Sequence, residues 1–184
     1  MSTNSIESVM ARLEPLLDEF ISIPTIAHAK YRAYPADILV EHSLRSAANC
    51  TYDHMVAEAE RRFVNRDDIR PLVLSGLKLW LIGADLHTVI RWKKMDENGN
   101  IRRYPTKQAR AFDFMDELPG LPPQPTRVTI GYVLDPTKTE IRRVQIARPN
   151  GKNVEWCAAI VPIEKRVSGE AIWQDMTHQS RLLG

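Results

Sequence analysis

The sequence predicts an α+β fold in a single domain spanning residues 1–184. N-terminal helices pack on one face of a five- to six-stranded, mainly antiparallel sheet built from a hairpin plus a β-meander. Three observations carry this. An apolar stripe of helical period runs through the first third of the chain. The period switches to strict alternation after Pro71. An Asn-Gly turn is then followed by further alternating runs between Pro- and Gly-containing turns.

In the helical part, residues 1–68, Ile6, Val9, Met10, Leu13, Leu16, Leu17 and Phe20 recur at spacings of three, four and seven, one face of a helix. Pro15 interrupts the stripe. Either the helix kinks there, or it ends near Leu13 and a second helix begins with proline in its first turn. Pro24 is expected to close the segment. After Pro35, the residues Leu44, Ala48, Tyr52, Met55, Ala59 and Phe63 fall within an arc of about 100°. They predict one long helix from Ala36 to Val64, or two nearly collinear ones broken at Asn49–Asp53 and capped by Thr51 or Asp53. Glu41 then falls inside the apolar arc, unless a break releases it to solvent.

The sheet part is expected over residues 71–162. Leu77, Leu79 and Leu81 alternate with Lys78, Trp80 and Ile82, and Leu86 to Lys94 is rich in β-branched and aromatic residues. The Asn98-Gly99 turn returns the chain into Ile101–Tyr104. Thr106 to Glu117 reads as a short helix with Thr106 as its cap, and Pro119, Pro122, Pro123 and Pro125 mark a stiff loop. A meander follows: Val128, Ile130, Tyr132 and Leu134; then Val144 and Ile146; then Val154, Trp156, Ala158 and Ile160. Residues 165–184 are too poor in apolar side chains for a second domain and read as a short helix and tail.

Composition excludes several classes. With 43% hydrophobic residues and 26% charged, the chain lacks the signature of disorder. Its most apolar run, Leu77–Gly83, is too short for a membrane span and contains a lysine. The N-terminal residues lack the basic and apolar regions of a secretory signal. Cys50 and Cys157 stand 107 residues apart with no nearby partner, which fits reduced thiols better than a disulfide framework. The expected location is the cytoplasm, with no membrane partner.

The net charge of +2 conceals an asymmetry. Residues 1–90 carry 9 basic and 12 acidic side chains, residues 91–152 carry 13 and 7, and residues 153–184 carry 3 and 4. If Leu77/Leu79/Leu81, Val144/Ile146 and Val154/Trp156 face the helices, the opposite face presents Lys78, Arg91, Lys93, Arg127 and Arg143. The hairpin adds Lys94, Arg102 and Arg103, with Lys107 and Arg110 following, and Trp80 shares that face. Cations interleaved with an aromatic ring suit a phosphate backbone with stacked bases. The competing reading is a solvated sheet face.

Catalytic chemistry is thinly represented. Asp85 and His87 place a carboxylate and an imidazole on one side of an extended segment, a pair suited to acid–base work or half a metal site. The same Asp, following Gly83, also suits a local turn. His42 and His54 lie too far around one helix to share a metal, His54 and Glu58 are one turn apart, and no paired-cysteine or His-Glu-x-x-His motif occurs. Asp96–Asn100 departs from a calcium loop in its glycine position and is explained by a hairpin turn. No metal site, cofactor or nucleotide-cofactor motif is expected.

The leading expectation is therefore a small, non-enzymatic binding or regulatory protein engaging a negatively charged partner, nucleic acid first, through the basic sheet face and hairpin. The alternatives are a protein-interaction or inhibitor module acting as a homo- or hetero-oligomer, and a metal-assisted hydrolase or nuclease around Asp85 and His87.

Overall fold

The computed structural model describes residues 4–102 and 106–177. Helix α1 (Ile6–Leu13) is capped by Ser5, whose hydroxyl accepts the Ser8 amide at 3.3 Å. A short 3-10 turn, Glu14–Leu16, places Pro15 in its first turn, and α2 (Leu17–Arg32) follows, so the helix ends at Leu13 rather than kinking. Pro24 does not close the segment, because α2 runs through it. An internal proline costs roughly 3 kcal/mol. Against this, α2 buries Phe20, Ile23, Ala27 and Tyr31 on one face, and a large apolar side chain gains about 1.5–3 kcal/mol on burial.

The expected long helix is two helices, and the break lies earlier than predicted. Helix α3 (Ala36–Glu41) stops at His42, whose backbone is extended. Ser43 then caps α4 (Leu44–Phe63), accepting the Ser46 amide at 3.1 Å. The break leaves Glu41 exposed. Asn49–Asp53 continues the helix unbroken; Thr51 is buried there and donates its hydroxyl to the Ala47 carbonyl at 2.9 Å.

Among the described residues the sheet has seven strands rather than five or six: β1 (Ile69–Leu74), β2 (Leu77–Ile82), β3 (Thr88–Lys94), β4 (Thr126–Leu134), β5 (Ile141–Asn150), β6 (Asn153–Ile160) and β7 (Trp173–Asp175). They lie in sequence order, all neighbours antiparallel except the parallel pair β3/β4. β1 carries Pro71 and is tolerated because it is an edge strand. β7 forms from residues expected as helix and tail, and its zipper continues through Met176 N–H to the Cys157 carbonyl at 2.8 Å. The Asn-Gly turn closes as expected; among the described residues its return makes an isolated bridge, Met95 to Ile101, while Arg103 and Tyr104 of the expected return lie outside the described residues.

A parallel pair requires a long crossover. Here it contains the hairpin, α5 (Lys107–Asp113) and the proline segment. Thr106 caps α5, accepting the Ala109 amide at 3.2 Å. This crossover covers the face of the sheet opposite α1, α2 and α4. Both faces of the central strands are therefore buried, and that corrects one expectation. Leu77, Leu79 and Leu81 pack with Val89, Phe112 and Leu118 under the crossover. Trp80 points to the helices, and Lys78 reaches Glu60 of α4 at 3.5 Å. Val144, Ile146 and Trp156 do face the helices, whereas Val154 packs on the other face. Trp92 centres the helix-side core, edge-on to Phe20 at 5.8 Å and to Trp80 at 6.1 Å. Among the described residues, no helix is long and apolar enough to cross a membrane.

Candidate polyanion interface

The parallel pairing of β3 and β4 fixes where the basic residues gather. Lys94 is level with Tyr132, so both strands finish at the same end of the sheet, and the hairpin and the β4–β5 turn emerge there together. Glu97 of the hairpin ties them, accepting from Arg142 at 2.9 Å and from Arg143 at 2.6 Å. On the helix side, His28 Nε2 donates to the Thr139 carbonyl at 2.9 Å and pins the β4–β5 turn to α2.

Cations at this end divide into engaged and unengaged ones. Arg142 and Arg143 are bound by Glu97. Lys93, Lys94, Arg102 and Lys138 have no ion-pair partner among the described residues. Lys94 is half-buried; burial, with Lys138 and Arg102 nearby, holds its ammonium below the usual lysine range. β3 runs beyond its last pairing with β2, Trp80 to Ile90, and in that gap the Lys93 ammonium lies 5.0 Å from the centre of the Tyr52 ring. Burial, then the charge of Arg91, lowers the Lys93 pKa. Carboxylates are also present: Asp96 and Asp135 accept turn amides, and Glu140 lies beside them in the β4–β5 turn. The amide and hydroxyl donors around Asp135, the Glu140 amide foremost, push its pKa down to about 2.

The other predicted binding residues lie elsewhere. Lys78 is on the helix side. Arg91 is buried between its carboxylate partner Asp113, the Thr129 hydroxyl at 2.9 Å and the face of Phe112 at 4.2 Å. Arg127 is buried, and its Nη atoms donate to the carbonyls of Ala111 and Asp116. Lys107 is exposed on α5, and Arg103 lies outside the described residues. The predicted residues thus form no single continuous face: the two best-buried, Arg91 and Arg127, are part of the interior.

The Asp85 carboxylate accepts the His87 amide at 3.1 Å, and His87 Nε2 donates to the Gln124 carbonyl at 3.1 Å, so both side chains hold local chain geometry. Among the described residues no group of three or more His, Cys, Asp or Glu is arranged to hold a metal ion. His54 and Glu58 do not meet. His54 bonds the Tyr34 hydroxyl at 2.9 Å, while Glu58 collects Lys30, Arg61 and Arg62.

Two features escaped sequence reasoning. One is Lys138, which joins the hairpin cations only because β3 and β4 run parallel. The other is a ring cluster beside the interface, in which Tyr31 stacks on His42 at 5.8 Å and Tyr34 meets His54. The three-residue spacing of His28 and Tyr31 on the last turns of α2 and of Tyr34 just past its end is its local signal. Comparison with known proteins finds no matching family model, curated protein or solved structure.

Proposed function

We propose that the chain is a small cytoplasmic, non-enzymatic binding or regulatory protein that engages a negatively charged partner, nucleic acid first. The contact surface is the sheet end where β3 and β4 finish. The observation that carries this reading is the group Lys93, Lys94, Arg102 and Lys138, which lacks ion-pair partners among the described residues, while Arg142 and Arg143 beside it are already matched by Glu97. Unmatched cations bind polyanions by releasing condensed counterions, whereas cations already in ion pairs release few. Tyr52, half-buried beneath Lys93, supplies an aromatic face at the same end. Cys157 is a buried free thiol whose pKa burial pushes up to about 12, which keeps it protonated and unreactive.

A mobility-shift series with single-stranded RNA and with single- and double-stranded DNA across a salt range tests the proposal. Binding at low salt is expected. Neutralising Lys94, Arg102 and Lys138 together is expected to flatten the salt dependence by about two to three counterions and to weaken binding by at least about tenfold. No binding to any of the three at low salt, or an unchanged salt slope in the triple variant, would overturn it.

A second reading, association with a protein partner or another copy of the chain, is favoured by the corner between α3 and α4. There Ile38, Val40 and Leu44 are exposed, Val40 at 86%. Sedimentation of the wild type against Val40→Asp separates the two readings: a strictly monomeric wild type removes self-association.

A further inference from the structure

At the opposite end of β4, roughly 17 Å from Tyr132 along the strand, a cleft of about 960 Å3 opens between α5, the proline segment and the sheet. That volume is in the range of ligand-binding cavities, about 300–1,000 Å3. Its walls are apolar, built from Met115, Leu118, Leu121 and the prolines of residues 119–125. Beneath them lies Arg127, 3% exposed.

The charge of Arg127 is not matched where it sits. Nη1 donates to the Ala111 carbonyl at 2.8 Å and Nη2 to the Asp116 carbonyl at 2.7 Å, both neutral acceptors. Its Nε is buried without a partner, and among the described residues no carboxylate lies within ion-pair distance; the Asp116 carboxylate opposes the charge only from further off. The neighbouring Arg91 shares the Phe112 ring with Arg127 but is paired with Asp113. An unmatched buried ion costs several kcal/mol, and in a low-dielectric recess its field reaches the cleft with little screening. Lys107 adds an exposed cation at the lip. Arg148 also lines the cleft but is held by Glu155 at 2.7 Å, and Glu117 contributes a carboxylate to the lining.

The lining chemistry selects among anions. Among the described residues that line the cleft none is aromatic, and these offer bases no stacking platform. Apolar walls over one buried charge match a ligand with one carboxylate and an apolar body. The amides of Gln108 and Gln124 supply donors and acceptors suited to an extended backbone. We infer that this cleft docks an extended segment of a partner protein in which an acidic residue is flanked by apolar ones, its carboxylate attracted by Arg127 and Lys107. This site is distinct from the polyanion interface and does not depend on it.

Panning a display library of short random peptides against the full chain tests the inference. Enriched peptides are expected to carry Asp or Glu beside apolar residues. Amide replacement of the acid, or Lys107→Ala or Arg127→Met in the protein, is expected to weaken binding about tenfold. Titration of the same peptide into the wild type should shift the Arg127 Nε–H resonance, a readout that stands even if Arg127→Met fails to fold. No enrichment, enrichment indifferent to the acid, or an unmoved Arg127 resonance would each overturn the inference. Oligonucleotide binding that persists in the presence of saturating peptide confirms separate sites; oligonucleotides that displace the peptide from Arg127 overturn the assignment to protein segments.

Discussion

The two faces of the sheet are both buried, but by different chemistry. Against α1, α2 and α4 the sheet presents an apolar layer centred on Trp80, Trp92, Ile130 and Ile146. Against the crossover it presents apolar clusters interrupted by the buried polar side chains of Arg91, Arg127, Thr129 and Gln145, and Asp113 of α5 is buried among them. The first face derives stability from area and shape. The second spends part of its burial on charges, and buried charge supports stability only when each member finds its partner. The comparison places the continuous apolar core on the helix side and the buried charges on the crossover side.

The largest effect is expected where the apolar face is densest. Trp92→Ala should lower unfolding free energy by about 4 kcal/mol, since it opens a cavity between Phe20 and Trp80; a denaturant midpoint barely moved would refute the central role given to this face. Next comes Asp113→Ala, which strips the carboxylate from Arg91 and should cost about 3 kcal/mol. The double change Arg91→Met with Asp113→Leu sharpens the comparison, because it should recover most of that loss by making the second face chemically like the first. Urea melts of the two variants side by side measure the recovery.

A smaller loss, about 1–2 kcal/mol, is expected for Glu58→Gln. This buried acid of α4 is clasped by Lys30 of α2 and by Arg61 and Arg62, all of which return to solvent when it is changed. Burial alone would raise its pKa, but the hydrogen bonds from Arg61, Arg62 and Lys30 outweigh it and hold the carboxyl below its ordinary value. A depressed carboxylate contributes stability above its unfolded pKa, near 4.3, and loses it as the pH falls through the folded value. The gap between wild type and variant should therefore be full at neutral pH and close in acid, and melts repeated down the pH scale will show whether it does. The smallest effect is expected for Arg127→Met. Removing an unmatched buried charge offsets the loss of its two carbonyl bonds, so stability should change by no more than about 1 kcal/mol. A loss as large as that for Asp113→Ala would mean that Arg127 is a structural tether like Arg91.

Much of the fold was legible because local chemistry and packing agree. Thr106 caps its helix as its hydroxyl predicts, the Asn98-Gly99 turn closes, and the meander alternates as read except at Val154, which packs on the face opposite Trp156. Pro24 and the break at His42 were misread because an apolar stripe reports burial and not continuity. The stripe runs through a proline in one helix and across a Ser43 cap between two others. The predicted basic face failed to assemble for a related reason. Alternation in Leu77–Ile82 has large apolar groups in both phases, so either phase satisfies the pattern, and the covering crossover decides which one meets the helices.

By itself the sequence determined the class of the fold, the positions of most helices and strands and the concentration of cations in residues 91–152, because periodicity, capping and composition are local properties of a chain. Only the tertiary structure decided which cations are matched. The parallel registry of β3 with β4 brings Lys94, Arg102 and Lys138 to one end, and the crossover buries Arg91 in an ion pair with Asp113 and Arg127 without an ion pair among the described residues. Pairing of charges depends on distance in space, and residues far apart in sequence acquire that distance only when the chain has folded.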